Sequence, residues 1–275
     1  MKFTYLGTAA SEGWPAVFCN CDFCNKARKV GGKDIRTRSQ AMIDDDVLID
    51  FPSDTYHHAL TNNLNLSSIK YVFITHTHSD HFLPDDLATR GSYYGHNFIS
   101  PTLEIIGNQT MCNLMNNNYL PAMESDVRKN ISATYIPLFT PIVFGDYTLT
   151  ALKADHKHDE VAYIYLIQKG DKTILYLHDT GMLPEETFAY LKNKKADFIS
   201  YDCTNVLTRN IYGHLGFLDC VEIRDKFAAD GIVNDKTINI INHFSHNCGV
   251  LYDDLAEEAA KYGFGVSYDE MVIEI

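Results

Sequence analysis

Residues 69–86 read IKYVFITHTHSDHFLPDD, an apolar run followed at once by polar side chains. The run Ile69–Thr75 is rich in β-branched and aromatic residues, which predicts a buried strand. Pro84, followed by two aspartates, is typical of the first turn of a helix. The sequence therefore predicts a tight loop between a strand and a helix, and this loop carries four potential metal ligands: His76, His78, Asp80 and His81.

Imidazole and carboxylate groups are the ligands that Zn²⁺, Mn²⁺ and Fe²⁺ accept. His76 and His78 are two residues apart, so in an extended segment they point the same way and can bind one ion. Asp80 and His81 lie further around the bend and can reach a second ion. An ordinary polar surface loop rarely has so many ligand types directly after a buried strand. This H-x-H-x-D-H pattern resembles the signature of the metallo-β-lactamase superfamily.

The resemblance implies an α+β fold (α/β by some schemes), namely a four-layer αββα sandwich with a mono- or dinuclear metal site at one edge. We found no repeat, low-complexity tract or linker, so residues 1–275 are predicted to form a single domain. A cysteine-rich insertion is predicted at about residues 13–38, where Gly13, Pro15 and three cysteines interrupt the strand pattern.

Composition narrows the classes of function. The chain has 275 residues, 45% hydrophobic and 21% charged, which is ordinary for a globular protein. Its net charge of −13 argues against a non-specific nucleic-acid binder, which needs basic surface. A small phosphorylated substrate stays possible because a metal site supplies positive charge. No apolar run reaches membrane length and the N-terminus is too polar for a signal peptide, so we expect a cytoplasmic protein without a membrane partner.

A dinuclear site of this superfamily needs further ligands after later strands. The predicted strand Ile174–Leu177 leads into Asp179, which can place one oxygen on each ion as a bridge. The predicted strand Ile238–Ile241 leads into His243. The middle histidine is either His156 or His158, and His156 matches the family position better. His178 is expected to be a structural histidine facing away from Asp179, and His57, His58 and His96, which lack a ligand pattern, to be surface or loop residues.

Two divalent ions (Mn, Zn or Fe) are therefore expected, bridged by a hydroxide that attacks the substrate. The predicted ligand sets are His76, His78, His156 and Asp179 for one ion, and Asp80, His81, Asp179 and His243 for the other.

Cys19, Cys21 and Cys24 form a C-x-C-x-x-C motif. Thiolates so close together in a reducing compartment usually share a metal, and three ligands leave a tetrahedral Zn²⁺ one short. His246 is the predicted fourth ligand and Cys248 is its rival. The alternative is three buried thiols without a metal. The other cysteines are expected to be small core residues.

The cysteine motif, the metal loop, Asp179-Thr180-Gly181 and the H-x-x-H pair at His243 together resemble the PhnP branch of the superfamily, whose founding member is a phosphodiesterase. The resemblance spans nearly the whole chain. It implies that His214, in Gly213-His214-Leu215-Gly216, acts on the scissile phosphate by stabilising charge or protonating the leaving alcohol. His214 and Asp80 are the predicted catalytic residues. Some relatives carry a histidine directly after the strand that precedes His214. At that place this chain has Asp202-Cys203-Thr204-Asn205, without a histidine.

The predicted function is a metal-dependent phosphodiesterase acting on a small or cyclic, nucleotide-like phosphodiester. One alternative is a tRNA 3′-processing endonuclease, which the acidic charge and the lack of a long basic arm disfavour. Another is a cofactor-biosynthesis protein similar to PqqB, which also resembles this chain in its cysteine-rich zinc site. No stable nucleic-acid partner is expected, and superfamily members are often homodimers.

Overall fold

The computed structural model describes residues 1–156, 159–210 and 212–275. The first half of the chain builds one seven-stranded sheet, completed by the C-terminal strand in the order β14-β1-β2-β3-β4-β5-β6. Strands β3 to β6 run parallel to one another, and the β14-β1-β2-β3 side is antiparallel. Its strands are β1 Lys2–Gly7, β2 Gln40–Ile43, β3 Val47–Ile49, β4 Tyr71–Phe73, β5 Leu103–Gly107, β6 Ile131–Tyr135 and β14 Val272–Glu274.

The second half builds another seven-stranded sheet in the order β13-β12-β11-β10-β9-β8-β7. Here β10 to β13 are parallel and β7 to β10 are antiparallel. Parallel strands send their carboxyl ends to the same edge of a sheet, where sites commonly form. Its strands are β7 Ile142–Phe144, β8 Tyr147–Lys153, β9 Tyr163–Lys169, β10 Lys172–Leu177, β11 Phe198–Asp202, β12 Ile238–Asn242 and β13 Gly265–Val266.

The two sheets pack face to face over an aromatic core. Phe3 meets Tyr5 and Phe198 edge to face, with both ring-centroid distances at 4.9 Å, and all three side chains are fully buried. Phe73 from the first sheet contacts Tyr165 from the second. Large aromatic groups bury much apolar area and favour this geometry. Alternating inward residues from both sheets thus form the middle of the molecule.

Helices cover the outer face of each sheet and complete the four αββα layers, as predicted. Separate apolar clusters fill the two outer interfaces. The α-helices, in chain order, are α1 Asp22–Val30, α2 Thr55–Thr61, α3 Gln109–Leu114, α4 Leu120–Ala122, α5 Ser125–Arg128, α6 Glu185–Leu191, α7 Phe217–Ala229 and α8 Tyr252–Ala260. No helix in the described parts of the chain is both long and apolar enough to span a membrane.

The stretch at residues 69–86 folds nearly as its sequence predicts. The strand is shorter, Tyr71–Phe73, because the residues after it leave the sheet to form the metal loop. Pro84 does open a helix, but Pro84–Arg90 is a 3₁₀ helix rather than an α-helix. The C-terminal end of the loop is fixed, since the backbone N–H of Phe51 donates to the carbonyl of His81 and that of Leu83 donates to the carbonyl of Phe51.

The cysteine-rich segment contains helix α1, which the sequence did not reveal. Its N-cap is Cys21, whose sulfur accepts a hydrogen bond from the backbone N–H of Cys24. Asp22 lies in the first turn and Arg28 and Lys29 in the last, where their charges oppose the helix dipole. Helix α1 thereby holds the three cysteines against the loop after β12.

Candidate metal centre

Two groups of side chains converge at one edge of the sandwich. The ligand atoms of His76, His78, His156 and Asp179 lie within 4.8 Å of one another, and so do those of Asp80, His81, Asp179 and His243. These are the two predicted sets, and Asp179 belongs to both. His158 lies outside the described residues. The structure therefore brings together every described residue that was predicted for the dinuclear site.

Asp179 stands between the two groups. Its Oδ2 lies 3.4 Å from Nε2 of His76, 3.6 Å from Nε2 of His156 and 3.0 Å from Nε2 of His81. Its Oδ1 lies 2.8 Å from Nε2 of His243. In the first group, Nδ1 of His78 lies 2.8 Å from Nε2 of His76. One carboxylate thus faces both groups, as a bridging ligand must.

The outward ring nitrogens of four histidines are engaged by the protein. Nδ1 of His81 donates to Asp50 at 2.7 Å, and Nδ1 of His156 donates to the carbonyl of Gly213 at 3.1 Å. Nδ1 of His76 and of His243 lie 3.1 and 2.8 Å from threonine hydroxyls, those of Thr75 and Thr204. Such contacts fix ring orientation and tautomer, so that Nε2 of each ring presents its lone pair to a common centre.

Unpartnered buried atoms show that this centre fits cations. Nε2 of His81, Nε2 of His243 and Oδ1 of Asp179 are buried and have no hydrogen-bond partner. The 2.8 Å approach of Asp179 to His243 therefore lacks hydrogen-bond geometry. Buried polar atoms are nearly always paired, so several unpartnered atoms directed at one place indicate a binding site for a cation. Imidazole and carboxylate donors fit divalent zinc, manganese or iron.

The backbone at the site is held in unusual conformations. Asp179 and His243 have φ angles of 54° and 67°, and Asp50, which supports His81, has φ of 65°. Residues other than glycine rarely adopt this left-handed region, and such positions cluster at functional sites. Asp179 and His243 each follow the end of a parallel strand, β10 and β12, and the turn there aims their side chains inward.

Charges in the cluster act strongly on one another. Burial opposes ionisation of Asp80 and Asp179, but neighbouring histidines outweigh it. The pKa of Asp80 falls to about 2, and that of Asp179 lies well below its ordinary value. Burial lowers the pKa of His81, while Asp179, Asp80 and Asp50 together raise it well above its ordinary value. The carboxylates therefore stay ionised and favour positive charge at this edge.

His214 lies in the same cleft, which measures about 310 Å³ and is also lined by His78, His156 and His243. Its ring centroid is 4.7 Å from that of His156 and 5.6 Å from that of His243. Gly213 permits this approach: its φ is +74°, and a Cβ there would come within 2.8 Å of the Cα of His156.

Asp202, at the end of β11, is the residue that the sequence analysis missed. Its Oδ2 accepts a hydrogen bond from Nδ1 of His214 at 2.8 Å, and its Oδ1 accepts from the backbone N–H of Thr204. Burial lowers the pKa of His214, but the Asp202 carboxylate raises it to about 9. Asp202 and His214 also form, with Asp179 and His243, a group of donors within 4.8 Å of one another. The position of Asp202, one parallel strand from Asp179, was the available signal.

Glu160 supports the metal loop from outside. Its Oε1 accepts hydrogen bonds from the backbone N–H and the hydroxyl of Thr77, which lies between His76 and His78. Its Oε2 accepts from the side-chain amide of Asn108. The loop is thereby attached to both sheets. No sequence pattern predicts this contact, because Glu160 is 83 positions from Thr77 along the chain.

The four residues predicted for the cysteine site lie close together. The sulfurs of Cys19, Cys21 and Cys24 and a ring nitrogen of His246 lie within 4.8 Å of one another. Nδ1 of His246 is 3.7 Å from Sγ of Cys21 and 3.5 Å from Sγ of Cys24. Ligands on a tetrahedral zinc ion, with Zn–S of about 2.3 Å and Zn–N of about 2.0 Å, are separated by roughly 3.5–3.8 Å. The four donors therefore fit zinc.

The surroundings of Cys21 favour its thiolate, whereas those of Cys24 favour its thiol. A hydrogen bond from the backbone N–H of Cys24, together with His246, lowers the pKa of Cys21 to about 6, whereas burial raises that of Cys24 to about 11. Cys248, the rival ligand, is buried and its thiol donates to the carbonyl of Val250 at 3.6 Å. It is not part of the four-donor group.

Two other histidines are buried. His178 is a structural residue as predicted, and its Nε2 lies 2.6 Å from the hydroxyl of Ser200. His58 was expected at the surface and is instead 1% exposed. Its Nδ1 donates to Gln40 at 2.6 Å and its Nε2 lies 2.7 Å from the hydroxyl of Thr37. Helix α2 places it there, and short-range sequence patterns do not reveal such long-range partners.

Fold and site together define a protein of the αββα class with a candidate dinuclear metal centre. A family model described as the beta-lactamase superfamily domain matches residues 46–233, which is 188 of the 275 residues. The chain belongs to the beta-lactamase superfamily. The matched region includes the metal loop, Asp179 and His214, while His243 and the cysteine site lie outside it.

Individual relatives are more distant. Ribonuclease Z from Prochlorococcus marinus (strain AS9601) is 28% identical over 180 residues, 62% of this chain and 51% of that protein, so this chain spans about half the length of that relative. A crystal structure of a diphosphatase from the PhnP family aligns with a TM-score of 0.74 and 20% identity, covering 100% of this chain and 97% of the other. Zn²⁺-bound PqqB from Methylobacterium extorquens aligns with a TM-score of 0.72 and 17% identity, covering 100% of both chains.

Proposed function

We propose that this chain is a metal-dependent phosphodiesterase of the PhnP type, acting on a small or cyclic phosphodiester. The observation that carries the proposal is His214. It lies in the metal cleft, yet it belongs to neither of the two predicted ligand sets, and Asp202 fixes its orientation. A metal cleft with an additional, separately positioned acid suits a reaction in which an alkoxide must leave.

The two ligand sets are assigned to two different metal ions. We assign His76, His78 and His156 to one ion, and Asp80, His81 and His243 to the other, with Asp179 as the bridge. When bound, two divalent ions of Mn, Zn or Fe supply Lewis acidity toward phosphate oxygens and a water of lowered pKa. We assign Cys19, Cys21, Cys24 and His246 to a structural zinc, whose closed ligand set leaves no position for substrate.

His214 acts as a general acid in this proposal. Its Nδ1–H donates to Asp202, so the proton that can be transferred is the one on Nε2. The leaving oxygen accepts that proton as its bond to phosphorus breaks, and Asp202 keeps the ring in place and stabilises its charged form. His214 is assigned this role rather than that of a ligand because the two predicted sets each supply four donors without it.

Two other functions compete with this one. The similarity to ribonuclease Z favours a nuclease on tRNA precursors. The net charge of −13 argues against it, since binding a polyanion of that length requires basic surface. A PqqB-like role in cofactor biosynthesis shares the fold and would require no phosphodiester hydrolysis.

One assay set separates the three. Protein loaded in turn with Mn²⁺, Zn²⁺ or Fe²⁺ is offered bis(p-nitrophenyl) phosphate and small cyclic phosphodiesters, with oxygen uptake followed in parallel. A tRNA precursor is offered in a second arm at low salt. We expect hydrolysis of the small esters without oxygen uptake. Cleavage of the tRNA precursor alone, or oxygen uptake without ester hydrolysis, would overturn the proposal.

A further inference from the structure

A second cavity, of about 750 Å³, lies on the outer face of the first sheet. Its lining shares no residue with that of the metal cleft. Leu48, Val72 and Leu103 come from strands β3, β4 and β5, and further walls come from helix α2 and from residues 86–98. The lining is mainly apolar, with hydroxyl groups at several points. Its volume lies within the range of about 300–1,000 Å³ that is usual for small-molecule sites.

Arg90 lines the cavity and has a hydrogen-bond donor that no protein group accepts. Its Nη2 donates to the carbonyl of Ser100 at 2.8 Å, and its guanidinium carbon lies 4.8 Å from the centroid of the Phe98 ring. Its Nε is buried and has no hydrogen-bond partner. Among the described residues, no carboxylate lies within 4.0 Å of the guanidinium. Asp86, the one acidic residue in the lining, is exposed.

An unpaired guanidinium in an apolar cavity is costly. Burial lowers the pKa of Arg90, yet arginine stays protonated in proteins. The Arg90 side chain is half-buried and its Nε is fully enclosed, and a charged donor left unpaired costs more than a neutral one. The aromatic ring of Phe98 compensates only in part. The Nε–H of Arg90 can donate to a carboxylate oxygen, and such a charge-assisted hydrogen bond is stronger than one between neutral groups.

We propose that this cavity binds a small amphipathic carboxylate, whose acid group pairs with Arg90 and whose hydrocarbon body lies on Leu48, Val72 and Leu103. The positive charge excludes an amphipathic amine. A free phosphate would leave the apolar walls uncovered and would find one cation only. This site is separate from the metal centre, so the proposal does not depend on the phosphodiesterase function.

Decanoate is a suitable probe because it combines the two required parts. Isothermal titration would be carried out below its micelle concentration, with metal-loaded protein and excess acetate, which occupies any carboxylate site at the metals. We expect saturable binding of one decanoate per chain and no comparable binding of decylammonium. Arg90→Gln should weaken decanoate binding at least about tenfold, since a charge-assisted pair is lost. Arg128→Gln, which removes an exposed arginine of α5 outside the lining, is the matched control.

A second variant keeps the charge of Arg90 but fills the cavity. Ala59 lines the cavity from helix α2, so Ala59→Phe should fill it and abolish decanoate binding while Arg90 remains. This variant also decides the matter if Arg90→Gln fails to fold. The proposal would be overturned if the natural protein showed no saturable binding of decanoate, or if both variants bound decanoate as tightly as the natural protein does. It would also be overturned if the natural protein were a dimer that Ala59→Phe dissociates, because a second copy would then cover the cavity.

Discussion

Nδ1 of His214, which lines the metal cleft, donates to Oδ2 of Asp202 at 2.8 Å. Asp202 is fully buried and also accepts from the backbone N–H and the hydroxyl of Thr204 and from the backbone N–H groups of Thr180 and Leu215. The carboxylate is therefore fixed, and it fixes the imidazole in turn. Because Asp202 holds Nδ1, Nε2 is the ring nitrogen of His214 that is left to act in the cleft.

The role of the pair can be tested through the leaving group. His214→Ala should lower kcat by roughly 10²–10⁴, the usual range for one acid group, and leave metal content unchanged. The loss should be larger for an alkyl phosphodiester than for bis(p-nitrophenyl) phosphate, because p-nitrophenolate departs without a proton. Steady-state rates with the two esters and metal analysis of the same samples provide the measurement. A loss of equal size for both esters would indicate substrate positioning instead.

Asp202→Asn should reproduce part of this behaviour. The amide cannot replace the charge that stabilises the protonated ring, so we expect a fall of about 10–100-fold in kcat, as for other supporting residues. KM should change little, and the dependence on the leaving group should follow that of His214→Ala. A variant that lost turnover equally with every ester, or that also lost metal, would point to a structural role for Asp202.

Asp179→Ala tests the bridge. Asp179 is the one residue shared by both ligand sets, so its removal should lower the metal content from two ions per chain and reduce turnover by orders of magnitude. Metal analysis after gel filtration and the rate on bis(p-nitrophenyl) phosphate are the two measurements. Asp171→Ala, an exposed aspartate between β9 and β10, is the matched control. Retention of two metals and full activity in Asp179→Ala would contradict the assignment.

The sequence predicted those parts of the site that depend on strand ends. Asp179 and His243 each follow an apolar strand, and parallel strands bring such residues to one edge whatever the intervening loops do. Asp202 follows β11 in the same way, but its partner His214 is contacted only after the chain has turned through an irregular loop. Side-chain pairs of that kind have no spacing rule, which is why the pairing was not predicted.

Helix α1 and the burial of His58 are two further features that were not predicted from the sequence. The capping residue of α1 is a cysteine, outside the usual set of Ser, Thr, Asp and Asn, so the start of the helix carried no recognisable signal. His58 lies on a short helix among polar residues, and its hydrogen-bond partners Gln40 and Thr37 are distant from it in sequence. Tertiary packing decided both cases.

Cys21→Ser tests the cysteine site. A closed thiolate site stabilises the fold and does no chemistry, so the variant should lose one zinc and melt at a lower temperature, while the folded fraction still turns over substrate. Zinc analysis and thermal melting are the measurements. Cys112→Ala is the control, because Cys112 is buried in the helical layer on the first sheet and should keep all zinc even if its Tm falls. Unchanged zinc content in Cys21→Ser would exclude the structural zinc.

His58 should make the stability of the protein depend on pH. Burial lowers its pKa from 6.5 to about 4, so between these values the unfolded chain binds a proton that the folded chain does not. The contribution of neutral His58 is therefore fully present above about pH 6.5 and is lost as the pH falls toward 4, by up to about 3 kcal/mol at 1.36 kcal/mol per pKa unit. His58→Gln should thus be less stable than the natural protein at pH 7.5, and the difference should shrink as the pH falls to 4.5.

Urea unfolding at several pH values measures this difference. Asp269, on the other side of Thr37, has a pKa that burial raises, but it is present in both proteins and so contributes similarly to each. His57→Gln, at the exposed neighbouring position, is the control and should follow the natural protein at every pH. Because a glutamine at position 58 cannot take up a proton, a difference in unfolding free energy that stays constant from pH 7.5 to 4.5 would mean that His58 can be protonated in the folded protein as readily as in the unfolded chain.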